Sequence, residues 1–180
     1  MTALKDDAMH LLIDGKTGMA PVGSDEAKRQ FRSTLGHFCT GVTCMTTLAP
    51  DGESVGMTAS SFNSLSLDPP LILWSIANNS TSFGCFQVGD AFAVNVLAEG
   101  QDDIAMKFAK PGGDKFQNVA VHKGLDGVPL IDGSVVYFEC IVDARHPGGD
   151  HDIIVGLVRR IYNIGKKPLL FHGGTLRTLG

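Results

Sequence analysis

The chain has 180 residues, of which 43% are hydrophobic, and carries a formal net charge of −4 at pH 7. This length favours a single domain that buries roughly two-thirds of its unfolded surface. The negative charge argues against nucleic acid or an anionic membrane surface as the main partner. Because there is no run of about 18 consecutive apolar residues, we expect no transmembrane helix.

The N-terminal stretch, residues 1–24, is interpreted as a flexible extension that precedes one domain over residues 25–180. It contains acidic residues and no long apolar core, so it does not resemble a signal peptide. The four cysteines are scattered, without a CxxC pair or a matching histidine spacing. We therefore expect reduced thiols, a cytoplasmic location and no metal site.

The first predicted element is an amphipathic helix. Ser24 is a suitable N-cap, and acidic residues follow it in the first turn, where they suit the helix dipole. Apolar residues then recur at helical spacing between Ala27 and Phe38, and Gly41 is a stop signal. Such a helix is expected to pack its apolar face against a sheet.

The periodicity changes to that of β-strands after this helix. VTCMTTLA (42–49) and SVGMTASSF (54–62) flank a Pro-Asp-Gly turn and predict a hairpin. The apolar run LILWSI (71–76) is short, which favours a strand buried on both faces. The remaining patterns predict a short helix over 81–88, a strand over 91–97, a helix over 101–108 with Ile104, Ala105 and Phe108 inward, a loop over 109–132, long strands over 134–144 and 152–162 joined by a hinge over 146–151, and a short strand over 169–171 before a polar tail.

These elements indicate a mainly β fold with a few short helices. Six or seven strands with hairpin-type connections favour an antiparallel barrel that is closed or partly closed. The low helix content and the lack of regular βαβ alternation disfavour a doubly wound sheet.

The most distinctive stretch is Gly56 to Trp74, GMTASSFNSLSLDPPLILW, in which hydroxyl side chains and an asparagine precede an apolar strand. Such a bend can place many short donors around a flat polar ligand without adding charge to the site. A serine-rich turn between two strands explains the same residues.

Common nucleotide-binding motifs are absent: there is no GxGxxG that opens a helix after a strand and no GxxxxGK[ST]. The stretch GESVG (52–56) has the GxSxG spacing, but it lies in the predicted hairpin and not between a strand and a helix, so a hydrolase elbow is not indicated. The segment from Asn78 to Ser82 offers uncharged donors at the start of the predicted helix over 81–88. Backbone N–H groups there can bind a phosphate. An ordinary helix N-cap accounts for the segment equally well.

His151 lies between two carboxylates at the start of a predicted strand. An imidazole there could project into a cleft, although strand alternation means that neither Asp150 nor Asp152 need touch its ring. A solvated turn histidine is the alternative. A metal site that combines His151 with His146 and Asp150 matches no ordinary ligand spacing.

Taken in order, several motifs carry a resemblance to a known family. They are FRSTLGHFCTGVTCMTT, SVGMTASSFNSLSLDPPLIL, FAVNVL, DKF, GDH before a β run, and PLLFHGG. Over about residues 28 to 175 the chain resembles the flavin reductases that supply reduced flavin to two-component aromatic-hydroxylating monooxygenases. The resemblance implies an antiparallel Greek-key split β-barrel, a homodimer, and an enzyme that oxidises NADH or NADPH and reduces FMN or FAD.

The resemblance also implies site residues. His151 matches the GDH histidine, which is expected to position the nicotinamide. The hydroxyl bend would contact the isoalloxazine ring, the end of the following strand would line the ring and ribityl chain, and the segment after it would bind the phosphate. The flavin-site positions so implied, including a closing Lys-Phe pair and an aromatic pair near the C-terminus, are Thr58, Ala59, Ser60, Ser61, Ser64, Leu65, Ser75, Ile76, Ala77, Ser80, Thr81, Ser82, Lys107, Phe108, Phe171 and His172.

Two positions depart from the family pattern. Thr81 stands where many relatives carry an arginine, and Gly173 stands where an arginine usually precedes the glycine. Both departures remove positive charge that would hold phosphate groups, which favours NADH over NADPH and a flavin bound as a diffusible substrate.

The function predicted from the sequence is therefore NAD(P)H-dependent reduction of FMN or FAD, with the reduced flavin passed to a partner monooxygenase. The main alternative is a flavin-binding or flavin-storage protein of the same fold without physiological reductase activity. A pyridoxamine-phosphate-oxidase-like enzyme and a non-enzymatic interaction domain are further alternatives. The choice between FMN and FAD stays open.

Overall fold

A computed structural model of the protein describes residues 12–18 and 23–180. The rest of the predicted N-terminal extension, residues 1–11 and 19–22, lies outside the described residues. Within the extension, β1 (Leu12–Ile13) and β2 (Lys16–Thr17) form a short antiparallel pair. No helix in the described ranges is long and apolar enough to cross a bilayer.

Helix α1 (Asp25–Leu35) begins as predicted, because the Ser24 hydroxyl accepts a hydrogen bond from the Ala27 N–H at 3.1 Å. It ends earlier than predicted. The Gly36 N–H bonds back to the carbonyls of the last turn, whereas Gly41 lies in a short strand. None of the residues of α1 is buried, so the prediction that it packs against the sheet is wrong within one chain.

The other elements follow along the chain. They are β3 (Thr40–Gly41), β4 (Thr43–Leu48), β5 (Ser54–Ala59), β6 (Asn63–Leu67), β7 (Pro70–Ala77), β8 (Ala91–Val96), α2 (Asp102–Ala109), β9 (Val121–Lys123), β10 (Pro129–Ile131), β11 (Val136–Gly148), β12 (His151–Asn163), β13 (Leu170–His172) and β14 (Thr175–Arg177).

Seven of these strands form one antiparallel sheet in the order β5-β4-β8-β11-β12-β7-β6. Strands β5 and β6 lie at opposite edges, yet β5 ends at Ala59 and β6 begins at Asn63. Four residue steps span at most roughly 14 Å. The sheet must therefore curl until its two edges approach, which makes it a barrel with a seam between β5 and β6. The predicted antiparallel split barrel is confirmed.

The barrel interior is filled by alternate residues of the strands. Trp74, Phe86 and Phe92 form an aromatic cluster with ring centroids 4.9–6.2 Å apart, and all three are fully buried. On β7 only every second side chain, including Trp74, is buried. The expectation that this strand is buried on both faces is therefore wrong, because the residues of its other face are only half-buried.

Several local predictions need correction. The helix expected over 81–88 is a single 3-10 turn, Phe83–Cys85. The loop expected over 109–132 contains β9 and β10, and the polar tail contains β14. The predicted α2 is confirmed, with Ala105 and Phe108 buried in a second apolar cluster, and the helix packs against β5 and β4.

Candidate functional site

The hydroxyl-rich bend forms the seam of the barrel. Ser61 follows β5, and its hydroxyl accepts a hydrogen bond from the Ser75 N–H at 2.9 Å and lies 3.3 Å from the Ser75 carbonyl oxygen. This contact ties the connection between the two edges of the sheet to β7. Ser60 beside it is exposed. The seam therefore presents short polar side chains and backbone groups, as the sequence predicts.

Along β7, strand alternation decides which predicted residues can reach a ligand. Ile76 is fully buried in the barrel core, so only its backbone is available. Ser75 and Ala77 lie on the other face and are half-buried. Ser64 and Leu65 lie on β6, where a bulge between Ser64 and Ser66 interrupts the pairing with β7, and both are exposed.

A cleft of about 310 Å³, here called the hydroxyl cleft, opens beside the seam. Within the segment after β7, the Ser80 hydroxyl accepts from the Ser82 N–H at 3.2 Å, while Thr81 is exposed. The Thr58 hydroxyl donates to the Ala105 carbonyl at 2.6 Å, which fixes β5 against α2. The cleft is lined by Met57, Thr58, Asn79, Ser80, Thr81, Ser82, Phe108, Ala109, Lys110, Pro111 and Lys115.

Lys110 and Lys115 both line this cleft, and neither is among the predicted site residues; Lys110 is exposed, whereas Lys115 is partly buried. Its Nζ donates to the carbonyls of Gly56 at 3.1 Å and Phe108 at 3.2 Å. A lysine ammonium has three N–H donors, so one remains beyond these two bonds. Desolvation by burial lowers the pKa of Lys115. The DKF motif contains this lysine, but nothing in its spacing indicates where it lies.

A larger cleft of about 700 Å³ adjoins the hydroxyl cleft. The two share Thr81, Ser82 and Lys115. The far wall of the larger cleft is formed by the start of β5 and by the glycine-rich segment 112–116. An elongated ligand that enters the hydroxyl cleft can therefore continue past the lysine.

A third cleft, of about 270 Å³, lies on the other side of Thr58. It is lined by four predicted positions, Thr58, Ala59 and Ser60 at the end of β5 and Phe171 of β13, which meet there from distant parts of the chain. His172 does not line this cleft. Its exposed ring lies 6.2 Å from that of His37, centroid to centroid.

Lys107 and Phe108, which were predicted to close the flavin site together, point to different surroundings on α2. The Lys107 ammonium contacts the Gln117 carbonyl. The Phe108 ring is only 1% exposed and packs edge-on against Phe116, with centroids 5.0 Å apart. Phe108 thus forms the floor of the hydroxyl cleft from within the core, and Lys115 is the cation that its backbone helps to hold.

His151 is the first residue of β12 and lies opposite Ala77 of β7. Its Nδ1 is 2.7 Å from Asp150 Oδ1, so Asp150 does touch the ring, because it lies in the turn and not in the strand. The hydrogen bond and charge of His151 lower the pKa of Asp150. Asp152 turns away and pairs with Arg145. Within the described residues, no three His, Cys, Asp or Glu side chains form a group that could hold a metal ion.

The fold and these clefts define an antiparallel split-barrel protein with a largely neutral, donor-rich site of the kind that suits a flat, phosphate-bearing ligand. The sequence profile of the flavin reductase like domain matches residues 35–180. The chain belongs to this flavin reductase-like family.

Its relatives support the assignment. The chain is 43% identical over 153 residues to the FMN reductase (NADH) SmoA of Agrobacterium fabrum, covering 85% of this chain and 87% of the relative. It is 40% identical over 149 residues to the flavin-dependent monooxygenase reductase subunit HsaB of Mycobacterium tuberculosis, covering 81% and 79%. Its structure resembles that of the NADH:FAD oxidoreductase SgcE6 of Streptomyces globisporus in complex with NAD and FAD fragments, with a TM-score of 0.81, 35% identity, and coverage of 89% and 98%.

Proposed function

We propose that the protein is an NAD(P)H-dependent flavin reductase that prefers NADH, transfers hydride to FMN or FAD and supplies reduced flavin to a partner monooxygenase. The observation that carries this proposal is the hydroxyl cleft, in which neutral donors and one partly buried lysine adjoin the seam of the barrel. Relatives named as an NADH-dependent FMN reductase and a monooxygenase reductase subunit support it.

The residues of the site fit a flavin. The segment from Ser80 to Ser82 and the free donor of Lys115 suit a phosphate, because they combine short hydroxyl donors with a charge. Ser60 and Ser61 would serve the edge of the ring at the seam. Ile76 would contribute through its backbone, since its side chain is in the core.

When bound, flavin supplies the acceptor for a hydride from the nicotinamide, so the protein's task is to bind, align and exclude water. His151, held by Asp150 at the start of β12, would position the nicotinamide. Neutral donors around the ring would stabilise developing charge. With few fixed cations in the site, reduced flavin can leave for a partner oxygenase.

The two adjoining clefts are compatible with either FMN or FAD. The hydroxyl cleft alone suits the single phosphate of FMN, and the adjoining larger cleft offers space for the second nucleotide half of FAD. One relative is named as an FMN reductase and another as an NADH:FAD oxidoreductase.

The proposal also includes a homodimer and a cytoplasmic location. The exposed apolar face of α1 supports the homodimer, because a surface of this kind is commonly covered in an assembly. The four free thiols suit a reducing compartment, for which we propose the cytoplasm.

The test is a steady-state assay of NADH and NADPH against FMN, FAD and riboflavin, followed by the loss of nicotinamide absorbance. We expect turnover with NADH, less with NADPH, and a lower KM for the phosphorylated flavins than for riboflavin. Flavin binding without turnover would instead identify a storage protein. A protein that binds none of the three flavins would overturn the assignment altogether.

A further inference from the structure

All three guanidinium nitrogens of Arg145, on β11, donate hydrogen bonds within the protein. Its Nε and Nη2 donate to Asp152 Oδ2 at 3.2 and 2.8 Å, and its Nη1 donates to the carbonyls of Phe83 and Phe86 at 3.2 and 3.1 Å. The guanidinium carbon also lies 4.3 Å above the centroid of the Phe83 ring. The side chains of Arg145 and Asp152 are only 11% and 18% exposed. A charge pair so withdrawn from water stays in place only because these bonds satisfy it.

The two carbonyls that Arg145 holds belong to the segment that continues directly from Ser80–Ser82. The Phe83 N–H bonds to the Ser80 carbonyl at 3.0 Å, and the Cys85 N–H bonds to the Ser82 carbonyl at 3.0 Å. Backbone hydrogen bonds therefore join Ser80–Ser82 directly to the turn whose carbonyls Arg145 binds. A shift of the turn would move the hydroxyl groups that line the hydroxyl cleft.

The anchor of Arg145 is the same hairpin that carries His151. Asp152 is the next residue on β12, and the Asn78 N–H bonds to the Asp150 carbonyl at 2.9 Å. Arg145 therefore connects the turn after β7 to a rigid antiparallel ladder. A lysine could keep the charge beside Asp152, but a guanidinium can bond a carboxylate and two carbonyls in one plane.

Building on the proposed function, we propose that Arg145 is a positioning residue for flavin phosphate: by holding the Phe83 and Phe86 carbonyls against β12, it keeps Ser80–Ser82 in the arrangement that receives the phosphate. It touches no part of the proposed ligand site itself, and its effect passes through the backbone of this segment.

The experiment compares FMN and riboflavin, which share the ring and differ by the phosphate. Dissociation constants of both are measured by fluorescence titration for the wild type, Arg145→Met and Arg145→Lys. For Arg145→Met we expect FMN affinity to fall by about tenfold or more while riboflavin affinity stays within about twofold. Arg145→Lys should recover only part of the FMN affinity, because the charge returns without the planar fork.

Arg160→Met is the matched control. Arg160 pairs with the buried Glu139 at 3.0 Å on the same two strands, so its loss also removes a charge and an ion pair. Because the pair lies at the other end of the β11–β12 ladder, the ratio of riboflavin to FMN dissociation constants should not change. Asp152→Asn, which keeps the side-chain shape, should lower FMN affinity in the same sense as Arg145→Met and provides the result if Arg145→Met fails to fold.

Unchanged ratios in the Arg145 and Asp152 variants, or equal weakening of both flavins, would overturn the positioning role while the proposed function stands. If the wild type itself binds riboflavin as tightly as FMN, the phosphate assignment fails and the role of Arg145 fails with it. These two failures are therefore distinguished by the wild-type measurement alone.

Discussion

Lys115 adds a positive charge to the hydroxyl cleft, a site whose predicted phosphate-binding segment, Ser80–Ser82, is neutral. Thr81 and Gly173 stand where the family pattern has arginines. The fold nevertheless brings Lys115 to the same cleft as Thr81. Lys115 binds the carbonyl of Gly56, which lies 59 residues earlier in the chain. Its lowered pKa follows from partial burial. The ammonium is therefore easier to deprotonate than an exposed lysine.

This gives a pH dependence with a definite sign. Protonated Lys115 attracts phosphate, so FMN affinity should fall as pH rises through its lowered pKa, and the loss should begin below the ordinary lysine value of 10.5. Lys115→Arg should keep FMN affinity to higher pH, and Lys115→Met should lower it by about tenfold at neutral pH. FMN titrations across this pH range measure the effect.

Riboflavin is the control for that titration, because its ring ionises in the same way and it lacks the phosphate. Parallel loss of affinity for FMN and riboflavin in the wild type would show that Lys115 does not contact the phosphate.

His151 is expected to act on the other substrate. His151→Ala should raise the KM for NADH, or lower kcat/KM, by about tenfold, with flavin affinity little changed, because the ring would position the nicotinamide and not the flavin. Steady-state kinetics with varied NADH measure this. His122→Ala is a suitable control, since His122 is also exposed and paired with an aspartate, Asp132, but lies away from the seam. NADH kinetics that stay unchanged in His151→Ala would show the assignment to be wrong.

At the scale of elements, the barrel depends on close packing across the curved sheet. Gly156 lies on β12, where an added Cβ would come within 2.5 Å of the Phe92 ring and 3.0 Å of Ile72. Both neighbours belong to the core, and Phe92 is held in the aromatic cluster with Trp74. Because Gly156 has no side chain, Phe92 and Ile72 can pack directly against the backbone of β12.

We therefore expect Gly156→Ala to destabilise the fold by about 1–3 kcal/mol, since the Phe92 ring cannot move away without disturbing its own neighbours. Urea unfolding followed by tryptophan fluorescence measures the change. Gly41→Ala is the matched control, because nothing lies within 4 Å of its added Cβ. An unfolding midpoint for Gly156→Ala equal to that of Gly41→Ala would contradict this account of the packing.

The elements that sequence reasoning predicted well are those whose pattern is local. β4, β8 and α2 follow from local composition or helical spacing, and each forms within one residue of its predicted bounds, whereas β5 begins at the predicted Ser54 and ends three residues early, at Ala59. The hydroxyl-rich bend that the sequence singles out lies at the seam between β5 and β6, and its run of hydroxyls is visible in the chain without any knowledge of the fold.

The failures depend on distant contacts. Residues 81–88 do not form a helix, because the Phe83 carbonyl that would bond within it accepts from Arg145, 62 residues away. Lys115 was missed for the same reason, since its two carbonyl partners become neighbours only when β5 and α2 pack together. No local pattern carries this information.

At the scale of the whole molecule, α1 has an apolar face that residues 12–18 and 23–180 of one chain leave exposed. Phe31, Leu35 and Phe38 recur at helical spacing or just beyond the helix end, and they are 47%, 57% and 74% exposed. Their burial in a second copy would explain why an amphipathic helix with a good N-cap packs its apolar face against nothing in the described part of its own chain.

The proposed homodimer should therefore depend on this face. Light scattering after size exclusion should give about twice the 19.1 kDa of one chain for the wild type, and Leu35→Lys should shift the protein towards the monomer, because a charge at the centre of an apolar contact would have to be desolvated. Val88→Lys is the matched control, since Val88 is 63% exposed and lies outside α1. A dimer that persists in Leu35→Lys would place the interface elsewhere, and a wild-type monomer would show that α1 is uncovered in solution as well.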